Sequence, residues 1–136
     1  MATTNAFKVA ELIRHIEYDS TNDVITTGKR TANKNRKRSD TAKSSTSVFS
    51  LDTFAKTSFL AARYIVAMSQ GTKYHSTEIM LIHDGTNVTI TLYGTLKSES
   101  LASFTADISG SDVRLRCTPA SNTATNIQFD RTLVDA

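Results

Sequence analysis

The sequence predicts an all-β protein, an antiparallel β-sandwich of about seven strands with an extended N-terminal arm. Three observations support this prediction. Between residues 62 and 135, short runs of strand length alternate apolar and polar side chains. Turn-forming residues separate neighbouring runs, as in sheets built from hairpins. The runs are rich in Thr, Ser, Val and Ile, which suit a pleated, half-buried surface. Immunoglobulin-like and jelly-roll sandwiches both remain open.

The N-terminal arm begins with a polar tip, residues 1–6, that has nothing to bury. In residues 7–18 the apolar positions fit a short helix at i, i+3, i+4 and i+7, but the end of the same stretch also alternates as a strand. These apolar positions are Val9, Leu12, Ile13 and Ile16. The turn-like residues that follow favour a hairpin of Arg14–Tyr18 with Asp23–Thr27, preceded by at most one helical turn.

Residues 28–47 predict a linker, because they contain no apolar residue larger than Ala. Residues 28–43 hold seven basic side chains and one acid, so this segment accounts for more than the whole net charge of +3. An arm that orders on binding and a passive spacer both fit this composition. We therefore predict an arm at residues 1–50, with a hairpin and a basic linker, and a sandwich domain at residues 51–136.

The sandwich strands follow one another with compact turns. Val48–Asp52 resumes the alternation, and Thr53–Ala61 predicts either a short turn between strands or a helical turn that carries Phe54 and Phe59 inward. The later runs are Arg63–Met68, Glu78–His83, Val88–Tyr93, Phe104–Ile108, Val113–Cys117 and Ile127–Arg131. Glu78–His83 is mostly apolar, which predicts a central strand covered on both faces. Two tight turns are expected at Asp84-Gly85 and Ser109–Asp112, where Gly adopts positive φ without penalty.

The candidate chemical groups predict no catalytic, cofactor or metal site, and we expect no enzymatic activity. His15, His75 and His83 lack a carboxylate or Cys at metal-ligand spacing. His83 precedes a turn, so its ring is expected to hydrogen-bond there. Cys117, the single Cys, has the inward parity of its strand and is expected to pack as a small hydrophobe. The chain has no apolar run long enough to span a membrane.

The basic segment allows three interpretations. The first is a solvated linker, the second an arm that lies along an acidic protein surface, and the third a contact with the phosphates of nucleic acid. The segment has no aromatic residue on which a base could stack. Its basic residues expected to contact a partner are Lys29, Arg30, Lys34, Arg36, Lys37 and Arg38.

The segment 62–134 resembles a β-rich module of structural proteins of tailed bacteriophages, notably those of cyanobacteria and other marine bacteria. The residues that carry the resemblance are ARYIVAMSQGTKYHSTEIMLIHDGTNVTITLYGTL, LASFTADISGSDVRLRCTPAS and FDRTLV. The N-terminal piece ELIRHIEYDSTNDVITTGKR is similar to the hairpin that precedes such modules. In that family the module often ends long fibre-like proteins, whereas this chain is nearly a bare module with a basic arm.

The resemblance implies a virion structural protein, made in the host cytoplasm and attached through its arm to the head, neck or tail. Major head or tail proteins would be its partners, and many copies per particle would associate as a homo-oligomer. The apolar residues of the arm would bury against a neighbour: Phe7, Val9, Leu12, Ile13 and Ile16. The alternative is an adhesion module that binds host-surface glycan through the loops 70–74, 84–87 and 109–112.

Overall fold

The computed structural model describes residues 35–136 in full and, before them, two strands. Strand β1 (Ile16–Asp19) pairs antiparallel with β2 (Val24–Thr27), within the segment for which the sequence predicts a hairpin. The expected polar tip and helical turn lie outside the described residues. Residues 1–33 and residues 34–136 form separate compact units.

The second unit is an antiparallel β-sandwich of eight strands, which confirms the predicted fold class. One sheet has five strands in the order β3-β10-β5-β6-β7 and the other has three in the order β4-β9-β8. The first sheet contains β3 (Arg36–Lys43), β5 (Phe59–Gln70), β6 (Lys73–His83), β7 (Val88–Lys97) and β10 (Thr125–Asp135). The second contains β4 (Phe49–Ala55), β8 (Ala102–Ser109) and β9 (Asp112–Pro119). The 102 residues described from Asn35 onward include no helix.

Strand β3 corrects the prediction of a basic linker. Arg36–Lys43 pairs with β10 along its whole length, from Arg36 opposite Thr132 to Lys43 opposite Thr125. Backbone hydrogen bonds join an edge strand to its sheet without requiring large apolar side chains, so composition alone did not reveal it. Its half-buried positions are occupied by small polar residues and by the stem of a Lys: Ser39, Thr41 and Lys43. The sandwich therefore begins well before residue 51.

The core between the two sheets follows the predicted alternation. Tyr64, Val66 and Met68 of β5 are buried, while Arg63, Ile65 and Ala67 lie on the outer face. Phe54 and Phe59 flank the turn between β4 and β5, with ring centroids 6.3 Å apart in an edge-to-face contact. The other large buried side chains are Leu51, Ile79, Leu81, Leu101, Phe104, Val113, Leu115, Ile127, Phe129 and Leu133.

Strand β6 is not covered on both faces, so that prediction was wrong. Met80 and Ile82 are 48% and 49% exposed. They lie on the outer face of the five-stranded sheet, which is the face turned away from the three-stranded sheet. The apolar run in β6 therefore marks an exposed apolar surface and not a doubly buried strand.

The two predicted tight turns are present. Gly85 has φ 92° and Gly110 has φ 61°, values that other residues adopt only with strain. The Asp84 carboxylate accepts hydrogen bonds from the backbone N–H groups of Thr86 and Asn87, at 2.8 and 2.6 Å. These bonds, that of Asn87 first, lower the pKa of Asp84.

The sandwich has two poles that differ in what they carry. At the proximal pole β3 begins and β10 ends, since the N–H of Leu133 donates to the carbonyl of Asn35 at 2.7 Å. The turns at 84–87 and 110–111 lie at the same pole, where Lys56 bonds to Ser111 and Gly85. The distal pole carries the loops 71–72, 98–101 and 120–124, joined by bonds such as Gln70 Nε2 to Ser121 Oγ at 2.8 Å.

Candidate functional site

The basic residues of β3 are paired within the sandwich. Arg36 and Arg38 both approach Asp130 Oδ2, at 3.5 and 3.7 Å. Lys37 points to the other face and donates to Asp52 Oδ1 at 2.8 Å. The Arg side chains remain largely exposed, so their ion pairs contribute little, about 0–1 kcal/mol each. Lys37, by contrast, is bound to the buried carboxylate of Asp52, a contact that a solvated linker would not make.

The remaining residues expected in the arm lie outside the description of side chains. Phe7, Val9, Leu12, Ile13, Lys29, Arg30 and Lys34 are outside the described residues, and Ile16 is described only as the first residue of β1. Their contact with a partner stays a prediction.

A buried carboxylate, Asp52, connects the two sheets. A β-bulge in β4 places Leu51 and Asp52 consecutively in the interior, where strict alternation would put one of them outside. Asp52 Oδ2 accepts hydrogen bonds from the Tyr64 hydroxyl at 2.9 Å and from Arg131 Nη1 at 2.7 Å. With Lys37 on Oδ1, one carboxylate thus joins β4 to three strands of the other sheet.

The chemistry of the Asp52 cluster is structural. Burial and the negative charge of Asp52 raise the pKa of Tyr64, so the phenol stays protonated and donates. Arg131 is buried and supplies the compensating charge, although its Nε has no hydrogen-bond partner among the described residues. A buried charge that loses its partner destabilises a protein strongly. An arrangement of the two sheets that separated Asp52 from Arg131 would therefore be unfavourable. The alternation of the sequence does not predict this cluster, because the bulge breaks the parity of β4.

The two described histidines and the cysteine hold structural positions. His83 bonds through Nε2 to the carbonyl of Phe59 at 2.7 Å and accepts the Gly85 N–H on Nδ1 at 3.0 Å, which confirms its expected place at the turn. His75 Nδ1 accepts the N–H of Leu101 at 3.1 Å. Cys117 is fully buried, and burial raises its pKa to about 12, so the thiol is inert.

The described part of the chain was compared with what a metal ion and a membrane-spanning helix require. Among residues 35–136 no three His, Cys, Asp or Glu side chains converge to hold a metal ion. In the same part of the chain no helix is long and apolar enough to cross a bilayer.

The outer face of the five-stranded sheet holds a shallow groove of about 590 Å³ between β3, β10 and β5. Ile65 and Ala67 provide apolar surface in it, and polar side chains stand around them. Gln128 Nε2 donates to Asp40 Oδ2 at 3.3 Å, which holds two of these polar groups together. The lining residues are Arg38, Ser39, Asp40, Ile65, Ala67, Gln128, Phe129 and Asp130.

Beside the groove, a polar cluster crosses the apolar surface of β6. Arg63 Nη2 donates to both carboxylate oxygens of Glu78, at 3.2 and 3.0 Å. The Tyr93 hydroxyl also bonds to Glu78, and these bonds, that of Tyr93 first, lower the pKa of Glu78. The carboxylate therefore stays ionised, and Tyr93 is held against it on the exposed face.

The three loops predicted to bind glycan do not form one site. The loop 70–74 lies at the distal pole, whereas the loops 84–87 and 109–112 lie at the proximal pole. Strand β6 has 11 residues and separates two of these loops by about 33 Å at 3.3 Å per residue. A single ligand site built from all three is therefore excluded.

Comparisons with known proteins give similar structures only. No family model and no curated protein matches the chain. The tailspike protein of Acinetobacter baumannii phage AM24 is 11% identical with a TM-score of 0.41, and the match covers 74% of this chain and 26% of that one. The tailspike of Acinetobacter phage vB_ApiP_P1 is 18% identical with a TM-score of 0.43, over 81% and 24% of the two chains.

A third structure is the tailspike gp49 of Acinetobacter baumannii bacteriophage Fri1, a capsular polysaccharide depolymerase. It is 13% identical with a TM-score of 0.31, and the match covers 93% of this chain and 23% of that one. This chain thus spans about a quarter of the length of each tailspike. At such scores the likeness carries no argument about function, which rests on the chain's own residues.

Proposed function

We propose that the chain is a structural protein of a bacteriophage virion, a small sandwich subunit attached through residues 1–34 to the head, neck or tail. The observation that carries the proposal is the position of β3. The chain enters the sandwich at the proximal pole, so a scaffold that holds the preceding residues would leave the distal pole outermost. The sequence resemblance to structural modules of tailed phages supports the same role.

The ion pairs of β3 support a choice among the residues proposed for the attachment. Lys37 belongs to the Asp52 cluster and Arg36 and Arg38 flank Asp130, so the basic residues of β3 serve the sandwich. Attachment would then use the apolar residues Phe7, Val9, Leu12, Ile13 and Ile16, together with Lys29, Arg30 and Lys34. A phosphate-binding role is correspondingly less favoured, because three cations of the basic segment have acidic partners within the chain.

Co-sedimentation of the full chain with particles of the phage that encodes it tests the attachment. We expect the chain to sediment with particles, and we expect the double variant Leu12→Asp, Ile13→Asp to stay in the supernatant. The matched control is Ile65→Asp on the outer face of the sheet, which should bind as the unaltered chain does. Equal binding by both variants would remove the N-terminal segment as the attachment site.

A second candidate function, recognition of a neutral glycan, is favoured by the groove on the outer face. The lining has Arg38 against Asp40 and Asp130 around the apolar side chain of Ile65, and Arg36, which pairs with Asp130 from outside the lining, balances the remaining negative charge. Carboxylates accept hydrogen bonds from sugar hydroxyls, Arg and Gln donate to sugar oxygens, and an apolar surface meets the C–H face of a ring. This groove replaces the three loops as the place where a glycan would bind.

Titration of the full chain with a panel of neutral oligosaccharides, followed by NMR, tests this function. Binding should shift the amide signals of Ile65, Ala67 and Gln128, and Gln128→Ala with Asp40→Asn should abolish the shifts. The control Thr105→Ala, on the outer face of the other sheet, should leave them unchanged. Absence of shifts at millimolar sugar would remove the groove as a glycan site.

A further inference from the structure

Strand β7 (Val88–Lys97) is an open edge of the sandwich. Strand β6 pairs with one side of it, and no described strand pairs with the other. An edge of this kind presents unpaired backbone N–H and C=O groups that can accept another strand.

The side of β7 that faces the interior is only partly covered. Leu92 stands opposite the fully buried Ile79, yet it is 42% exposed. Beyond a shift in the register with β6, Leu96 stands opposite Ser76 on the other side of the strand and is 71% exposed. The three-stranded sheet therefore stops short of this edge and leaves apolar surface open to solvent.

The two edges of the five-stranded sheet differ in charge. Strand β3, at the other edge, carries Arg36, Lys37, Arg38 and Lys43, and such charges oppose pairing between edges. Residues Val88–Tyr93 carry none, and the only charge in β7 is Lys97 at its end. The charges of β3 therefore oppose the addition of another strand at that edge, whereas residues 88–93 of β7 carry no charge that would oppose it.

We propose that β7 pairs antiparallel with β7 of a second copy of this chain, so that two five-stranded sheets join into one. In a register centred on Ile90, Val88 stands opposite Leu92 of the second copy on the interior side. Thr89 then stands opposite Thr91 of the second copy on the outer side. These are cross-strand pairs of β-branched and aliphatic residues, which stabilise sheets.

The charges near the two ends of β7 also favour a second copy of the chain as the partner. In the antiparallel arrangement, Lys97 at the end of one β7 comes toward the Asp84 turn that precedes β7 of the other copy. The pKa of Asp84 is lowered by its backbone hydrogen bonds, so the turn offers a negative charge to Lys97. The interaction occurs twice, because a two-fold pairing repeats each contact.

A bulge limits the length of the pairing. Gly94 has φ 60°, and the register of β6 with β7 shifts between Ser76 and Glu78. The Thr77 hydroxyl donates to the carbonyl of Tyr93 at 3.3 Å, which fixes the bulge. The straight part of the edge is therefore the six residues Val88–Tyr93. On a particle, this edge would join the neighbouring copies that the proposed function expects. The pairing itself does not require a particle, and only the place where the copies meet rests on the proposed function.

Sedimentation velocity of the full chain over a range of concentrations tests the pairing. We expect a reversible dimer, and we expect Thr91→Lys to raise its Kd by about tenfold or more. Each new lysine stands opposite Thr89 of the other copy, and the two lysines are diagonal neighbours across the two-fold axis. The matched control Ser103→Lys lies on the exposed face of β8, an edge strand of the other sheet, and should leave Kd unchanged. Thr89→Lys repeats the test if Thr91→Lys does not fold.

Hydrogen exchange identifies the surface independently. Amides of Val88–Tyr93 that exchange fast in dilute solution should be protected at high concentration, and those of β3 should not change. A monomer at all concentrations, or a dimer whose Kd is the same in Thr91→Lys and Ser103→Lys, would overturn the pairing. Neither result depends on whether the chain binds particles, so the two proposals fail separately.

Discussion

At the scale of single residues, Asp52 links the two sheets through one carboxylate. It accepts hydrogen bonds from Lys37, Tyr64 and Arg131, which lie on three different strands of the five-stranded sheet. Such a cluster costs desolvation energy, so its net contribution is small while every partner is present. Removing the carboxylate alone leaves the positive charge of Arg131 buried without compensation.

We therefore expect Asp52→Asn to lower the free energy of unfolding by about 3–5 kcal/mol. Asp130→Asn, which affects only the exposed pairs with Arg36 and Arg38, should cost about 0–1 kcal/mol. Urea denaturation of both variants measures the difference. Equal losses would show that Asp52 is no more important than a surface carboxylate.

His75 gives the sandwich a dependence on pH. Burial, with a smaller effect of Lys97, lowers the pKa of His75 below its usual 6.5, and the neutral ring accepts the N–H of Leu101. Above pH 6.5 the ring is neutral in both folded and unfolded chains, so its contribution to stability is complete. As the pH falls from 6.5 toward the lower folded pKa, the unfolded chain takes up the proton first and stability is lost.

Thermal unfolding between pH 4 and pH 7 checks this contribution. The Tm of the unaltered chain should fall more steeply below about pH 6.5 than that of His75→Gln, which has no imidazole to protonate. The carboxylates titrate in both proteins, so only the difference between the curves reports His75. Parallel curves would contradict the assignment.

At the scale of elements, β3 shows which strands the sequence can predict. A strand that is held mainly by its pairing with a neighbour cannot be recognised from composition. The runs from residue 62 onward were predictable because each buries one apolar face, and alternation records that burial. Strand β3 buries almost nothing large and is held by backbone bonds to β10, which leave no mark on composition. The Asp52 cluster was hidden for a related reason, since a bulge overrides parity.

Proline substitution tests whether β3 is a strand in solution. In an edge strand, successive N–H groups point alternately to the neighbouring strand and to solvent, so only one of Asp40→Pro and Thr41→Pro removes a bond to β10. We expect the free energies of unfolding of the two variants to differ by about 2–3 kcal/mol. Similar small effects from both would indicate the linker that composition predicts.

At the scale of the whole molecule, the sandwich has one guarded edge, one open edge and two unlike poles. Strand β3 begins at the proximal pole, and the distal pole carries only loops between the described strands. The outer face of the five-stranded sheet is apolar at Ile65, Met80 and Ile82, and the groove lies on it. The proposed attachment would hold the sandwich at its proximal pole and leave the distal pole exposed.

A density map of the particle at a resolution that separates strands tests the central claim most directly. The account predicts sandwich density on the head, neck or tail, with the start of β3 toward the scaffold and the loops 71–72 and 120–124 outward. Absence of the chain from purified particles, or a sandwich attached by its distal pole, would contradict it.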